Sequence, residues 1–276
     1  MSIRTFFLLV TFFTVSATAG PRDPFPFGHA MVSQGALVDV EGVLGRQPWV
    51  AAAYCLDSTR WGAAAAAVSY YGGGSASQYA AGGFGVFGPA VVKASLAQLD
   101  VMGVYFEQAV ALSAGGHWRF LSFSVEAQLY REGIYGSQAD ARSTAAFGAS
   151  ILAMPGRKIS VDVSVGGFGA RVGGLPDPGA GLAPSIAARV CTVRNRYGSQ
   201  GAAVLVAPES ESPVRLVLAQ EYRIGQSFAF SASIASNPTT IGFGVAAGRP
   251  PLTASAAAVN HPFLGWSRGM SVDYAR

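Results

Sequence analysis

Between Lys158 and Gly169 the chain reads KISVDVSVGGFG. Ile159, Val161, Val163 and Val165 share one parity, and Ser160, Asp162, Ser164 and Gly166 share the other. A period of two sends successive side chains to opposite faces of a strand, so one face here is apolar and the other wet. The pattern recurs. Val104, Phe106, Val110 and Leu112 oppose Glu107 and Ser113; Leu121, Phe123, Val125, Ala127 and Leu129 oppose Ser122, Ser124, Glu126 and Gln128. Ile186, Ala188 and Val190 oppose Ser185 and Arg189. Val214, Leu216, Leu218 and Tyr222 oppose Arg215, Glu221 and Arg223. Phe228, Phe230, Ala232 and Ile234 alternate with Ser227, Ala229, Ser231 and Ser233, and Met270, Val272 and Tyr274 with Ser271 and Asp273. Short alternating runs separated by Gly, Pro, Ser and Asn mark an all-β chain.

Two environments suit the apolar faces, a protein core or a lipid bilayer. Charged residues make up 12% of the 276 residues and hydrophobic ones 50%, whereas soluble domains carry about 25% charge. Mean hydropathy is +0.34. Beyond the N-terminus no run of about 18 apolar residues occurs, so no spanning helix is expected. The remaining membrane solution is a closed β-barrel; the competing one is an Ala/Gly-rich soluble or surface β-protein. The net charge of +4 is scattered rather than gathered into a patch, which speaks against nucleic-acid binding.

The N-terminus reads as an export signal. One basic residue, Arg4, precedes the apolar run Phe6–Val15, and Ala17-Thr18-Ala19 supplies the small residues of a cleavage site. The expected organisation is a signal peptide over 1–19, an N-terminal segment over 20–48 and a barrel over 49–276. Export with this patterning points to the bacterial outer membrane, with its lipid as the first partner. At roughly 18 residues per strand and turn, the mature chain makes an antiparallel transmembrane barrel of about 14 strands, and 12 fits as well. Turns are expected at Ala114-Gly115-Gly116, Met154–Arg157, Gly198–Gly201 and Ser236-Asn237-Pro238, with longer connections at Glu132–Arg142 and Arg171–Pro184.

In that fold the polar parity faces the lumen. Glu107, Glu126, Asp162, Arg189 and Glu221 are the lumen-facing charges expected from it. Glu107 and Glu126 fall on neighbouring strands, where arginines such as Arg189, Arg215 or Arg223 would pair with them. Acid–base catalysis by the two carboxylates is the sharper but less favoured reading. His29, His117 and His261, the only histidines, show neither metal-ligand spacing nor a nucleophile arrangement, so no enzyme activity, metal or cofactor is expected. Gly82–Gly88 is glycine-rich without a strand–helix context, which fits bends, bulges or close backbone approach rather than a dinucleotide loop. Cys55 and Cys191 could pair in an oxidising envelope; two independent small apolar positions is the preferred reading. Trp49, Trp61, Trp118 and Trp266 near strand ends suit an interfacial girdle or, alternatively, core packing.

Two stretches resemble a known family. Gly28-His29-Ala30-Met31, followed by Gln34-Gly35-Ala36-Leu37-Val38-Asp39, is similar to the opening of the PorV/PorQ-like outer-membrane barrels. His261-Pro262-Phe263-Leu264-Gly265-Trp266, with the strand after it, resembles the closing segment of the same family. Gly35, Ala36, Asp39, His261, Pro262, Leu264 and Gly265 carry the likeness. Arg46-Gln47-Pro48-Trp49 stands where Asn-Pro-Ala-Gly is expected, and the chain ends Tyr274-Ala275-Arg276 rather than on an aromatic. The resemblance implies a barrel of about 14 strands with its N-terminal segment folded into the lumen, and work with type IX protein secretion and its exported cargo. The family is more distantly similar to FadL-type channels, which implies instead a passive route for small hydrophobic molecules.

Overall fold

The structure, a computed structural model, describes residues 61–70, 76–136, 141–153, 159–173, 185–192, 198–206, 214–225, 227–236, 239–249, 251–261 and 265–275. The N-terminal segment, with His29, Gly35, Ala36, Asp39, Trp49 and Cys55, lies outside the described residues, as do Pro262 and Leu264.

Fourteen strands follow one another around a closed antiparallel barrel. They are β1 (Trp61–Tyr70), β2 (Ala76–Phe87), β3 (Ala90–Val101), β4 (Tyr105–Trp118), β5 (Leu121–Ile134), β6 (Arg142–Ala153) and β7 (Ile159–Gly173), then β8 (Ser185–Thr192), β9 (Gly198–Val206), β10 (Val214–Ile224), β11 (Phe228–Ala235), β12 (Thr240–Arg249), β13 (Leu252–His261) and β14 (Gly265–Ala275). Each pairs with its sequence neighbours, and β14 closes on β1 from Gly62↔Ala275 to Ser69↔Arg268. Every strand therefore has a partner on both sides, which is the condition for spanning hydrocarbon without stranded backbone N–H and C=O groups.

The two rims differ. One bears both chain ends of the barrel and the tight connections Gly88-Pro89 and Arg119-Phe120. The longest connections, 135–141, 174–184 and 207–213, are all on the other. Short turns on one side and longer loops on the other is the arrangement of outer-membrane barrels, with the short turns periplasmic.

Parity decides what each face meets. Along β3 the buried residues Val91, Lys93, Ser95 and Ala97 alternate with exposed Val92, Ala94 and Leu96. Along β5, buried Ser122, Ser124 and Glu126 alternate with exposed Phe123, Val125, Ala127 and Leu129. Val163 is 46% exposed and its neighbour Ser164 only 1%. The large apolar side chains thus stand on the outside and the hydroxyls and charges inside. A water-soluble barrel would place them the other way round, so the apolar outer face is a bilayer-facing surface.

That band has edges. Trp61 and Trp118 stand exposed at the short-turn rim and Trp266 at the long-loop rim; this is the girdle rather than core packing. Trp61 packs on Tyr274 across the closing seam, with ring centroids 4.9 Å apart. Beyond Leu96, Val110 and Leu129 the outward positions become Gln98, Gln108 and Arg131, which marks where the apolar band ends on β3–β5. Above them the Gln98 amide donates to the Tyr135 hydroxyl at 3.4 Å. Hydrogen bonding to Asp100, reinforced by partial burial and the charge of Asp100, holds the Tyr135 phenol above its ordinary pKa.

Two expected turns are strand instead. Ala114-Gly115-Gly116 lies within β4, and the chain reverses at Arg119-Phe120, with Arg119 at φ 57°. A Cβ on Gly115 would come within 2.6 Å of the Phe123 carbonyl oxygen, so glycine there lets β4 and β5 approach rather than breaking the strand. Gly198–Gly201 opens β9. The glycines of β2 hold unbroken register with β1 and β3 and produce no bulge. Register shifts occur instead between β6 and β7, one beside Gly166 and Gly167 and one beside Val172. Gly62 does mark a close approach: a Cβ there would lie 2.5 Å from the Phe84 ring and 2.8 Å from the Tyr274 carbonyl oxygen.

Folding titrations into vesicles should show Val163→Arg costing about 2–4 kcal/mol, while Gln108→Arg, outward but beyond the apolar band, costs at most about 1. Gly62→Ala forces a methyl against backbone at the closing seam and should destabilise by about 1–3 kcal/mol. The readout is an earlier loss of heat-resistant compact migration on gels.

Candidate functional site: the charged inner wall

The inner face is uneven. On β11–β14 it carries small residues: Ala229, Ser231, Ser233 and Ala235, then Gly242, Gly244 and Ala246, then Ser255, Ala257, Ser267 and Ser271. Among the described inward residues, β1–β6 add larger and charged side chains to their serines and alanines. Two clusters stand out.

The first lies toward the short-turn rim. Lys93 on β3, Ser113 on β4 and Glu126 on β5 are successive partners across the sheet. The Lys93 ammonium is the cation whose field acts on Glu126, and the Gln128 amide donates to Glu126 Oε1. Lys93 is 1% exposed and Glu126 5%. Two opposite charges so deeply withdrawn from water each bear a desolvation cost, which the field of the other offsets in part.

The second lies toward the long-loop rim. Glu107 and Glu132 are register partners on β4 and β5. The Tyr105 hydroxyl donates to Glu107 Oε1 at 2.7 Å and stands 3.3 Å from Glu132 Oε2. Arg142 on β6 is the register partner of Glu132 on its other side. Nearby, on β1 and β2, the Tyr70 hydroxyl donates to Gln78 Oε1 at 2.6 Å. On the short-turn side of the first cluster hydroxyls bond across strands, as Ser124 does with Ser150 at 2.9 Å.

Glu107 and Glu126 are both inward and buried, as their parity implied. They are not brought together: Glu107 stands opposite Glu132 and Glu126 opposite Ser113, six residues apart along β4. The Lys93 charge acts on Glu126, and Tyr105 and Glu132 adjoin Glu107. Asp162 and Arg189 are register partners on β7 and β8, and Glu221 is opposite Ser231; these three side chains lie outside the described part of the structure. His261 ends β13 opposite Gly265, which opens β14 at φ 83°.

Lys93, Tyr105, Glu132 and Arg142 were not anticipated. Lys93 was legible: in Val92-Lys93-Ala94-Ser95-Leu96 it shares parity with Ser95 against Val92 and Leu96. Glu132 and Arg142 bound an expected connection but lie within strands: β5 runs to Ile134 and β6 starts at Arg142.

The fold and this distribution of side chains define a transmembrane antiparallel β-barrel with an apolar exterior and a polar interior. No protein-family profile matches the chain, and no curated protein does. Among solved structures it is similar to variants of the porin of Rhodopseudomonas blastica. One has a TM-score of 0.43 and 10% identity, covering 79% of this chain and 99% of the porin. A second has a TM-score of 0.44 and 11% identity with the same coverage.

Breaking the buried pair from one side should be costly. Lys93→Met or Glu126→Gln alone is expected to destabilise by about 3–5 kcal/mol, and the double variant by less than the sum. Urea titration of the four proteins in vesicles provides the cycle.

Proposed function

We propose that this chain is a non-enzymatic barrel of the bacterial outer membrane whose lumen is filled by its own residues 20–48, and that it assists protein secretion or surface assembly through protein contacts. The observation that carries this reading is the burial of very small inward side chains. Fourteen strands spaced about 4.8 Å apart and tilted about 40° give a barrel about 14 Å in radius. A serine or alanine fills little of that radius. Yet Ser122, Ser164, Ser231 and Ser271 are each no more than 3% exposed. Burial of side chains that small on a wall that wide supports further chain lying against them. Residues 20–48 join the barrel at the short-turn rim through the start of β1 and are long enough to enter it. A barrel occupied in this way suits a scaffold or docking partner better than an open pore. The resemblance to PorV/PorQ-like barrels points the same way, toward type IX secretion and its exported cargo.

The alternative, a channel for small hydrophobic molecules, is less well supported. Lys93, Glu107, Glu126, Gln78 and the serines would face such a molecule, whereas apolar ligands are held in mostly apolar pockets.

In planar bilayers the mature chain is expected to conduct little. Removing residues 20–48 should open a stable conductance of nanosiemens order, as expected of a water-filled barrel of this strand number. Equal conductance from both proteins would overturn the filled-lumen reading. Co-purification of secretion proteins with the membrane-extracted chain tests the role itself, and a clean preparation active in fatty-acid uptake would favour the channel.

A further inference from the structure

Across β2–β5 the outer face does not stay apolar up to the long-loop rim. Tyr79, Gln98, Gln108 and Arg131 are successive register partners on these four strands and form one outward row. On its membrane side stand the exposed side chains Leu96, Val110 and Leu129. Beyond it the wall turns apolar again, where Phe106 packs on Tyr135 with ring centroids 5.0 Å apart. Strands that merely left the bilayer would stay polar from the row onward. Other strands lack such a row: Ile186, Val214 and Ile241, all exposed, stand within the first two residues of β8, β10 and β12 at the same rim. The row is also tied together. The Gln108 amide donates to Gln98 Oε1 at 3.5 Å, the Gln98 amide donates to the Tyr135 hydroxyl at 3.4 Å, and Tyr135 is hydrogen-bonded to Asp100. Asp100 also accepts from the Gly103 N–H at 3.0 Å. That carboxylate is therefore engaged. The Arg131 guanidinium has no carboxylate partner among the described residues and lies 5.9 Å from the centre of the Phe106 ring.

We propose that this row binds the headgroup of a phosphorylated glycolipid in the outer leaflet. The long-loop rim is the extracellular one in barrels of this kind, so the row stands at headgroup level on that side. A guanidinium binds phosphate oxygens through charge-assisted, often bidentate bonds. A lone phosphate would occupy only the Arg131 end. The row runs on through two carboxamides and a phenol, across three inter-strand steps or about 14 Å. Amides and phenols both donate and accept, which suits the hydroxyls of a sugar. The Phe106–Tyr135 pair gives such a sugar an apolar wall on its far side, and Leu96, Val110 and Leu129 receive the acyl chains below. Holding the amides in one hydrogen-bonded chain lowers the ordering cost of binding. The inference needs the bilayer-facing exterior and does not depend on what fills the lumen.

The test measures binding of labelled lipids to the detergent-extracted mature chain. The probes are an acylated diglucosamine carrying phosphates, the same lipid without phosphates, and phosphatidylglycerol. The phosphorylated glycolipid should bind at least tenfold more tightly than phosphatidylglycerol. Arg131→Gln should weaken it about tenfold while changing the dephosphorylated form less than twofold; Arg131→Lys should fall between. Gln98→Ala with Gln108→Ala should weaken both glycolipids alike. Arg119→Gln, a charge change at the opposite rim, should alter neither. All variants should keep heat-resistant compact migration, because the row lies beyond the apolar band. Equal affinity for phosphatidylglycerol, equal losses from Arg131→Gln and Arg119→Gln, or a row covered by a co-purifying protein with no glycolipid bound would each overturn the site. Each of these outcomes leaves the conductance result for the 20–48 deletion untouched.

Discussion

The rest of the structure depends on the hydrogen-bonded seam between β1 and β14. Inside a bilayer there is no water to satisfy backbone N–H and C=O groups, so an open sheet would strand a full row of them at each edge. Pairing from Gly62↔Ala275 to Ser69↔Arg268 removes both edges at once. The seam also explains local choices that look arbitrary along the chain. Ala63–Ala67 supplies small residues at the junction, Gly62 makes room for the Phe84 ring, and Trp61 packs on Tyr274 where the last strand meets the first.

Closure sets up the second feature, an inside and an outside of opposite character. Once the apolar parity is turned to lipid, the wet parity has to share a confined interior. Much of it there is serine, alanine and glycine, which demand little solvation and let backbone approach closely. Among the described residues of β1–β6 larger polar groups have polar neighbours: Tyr105 donates to Glu107, Tyr70 donates to Gln78, and the Lys93 charge acts on Glu126. Neutral hydroxyl pairs such as Ser255 with Ser271, 2.6 Å apart, do the same work at lower stakes on the far wall.

Much of the barrel was readable from parity. The alternation over 159–165 marks β7, and that over 121–129 marks β5, with the apolar face outward in both. Errors arose where glycine was taken as punctuation. Gly115 and Gly116 sit mid-strand because β5 comes too close for a side chain, and that distance has no trace in the residues of β4. The same limit hid the site. Parity brings Glu107 and Glu126 inward, but their partners depend on stagger between strands, and stagger is set by turns that composition describes poorly. Arg119 reverses the chain at φ 57°, a conformation that a search for glycine does not find.

By itself the sequence determined the strand rhythm, the poverty of charge and the separation of apolar from polar parity, because these follow from the order of residues along one strand. It left open which parity faces outward. A soluble β-protein and a membrane barrel share the same alternation, since a strand has two faces and no sense of which one encloses space. Only the closed tertiary structure decided that, by curving the sheet so that Val163 and its kind lie on the convex side and Ser164 and Glu126 on the concave one. Curvature and stagger are properties of fourteen strands taken together, and for that reason they, and the level that Lys93 and Glu126 share across Ser113, emerge only in three dimensions.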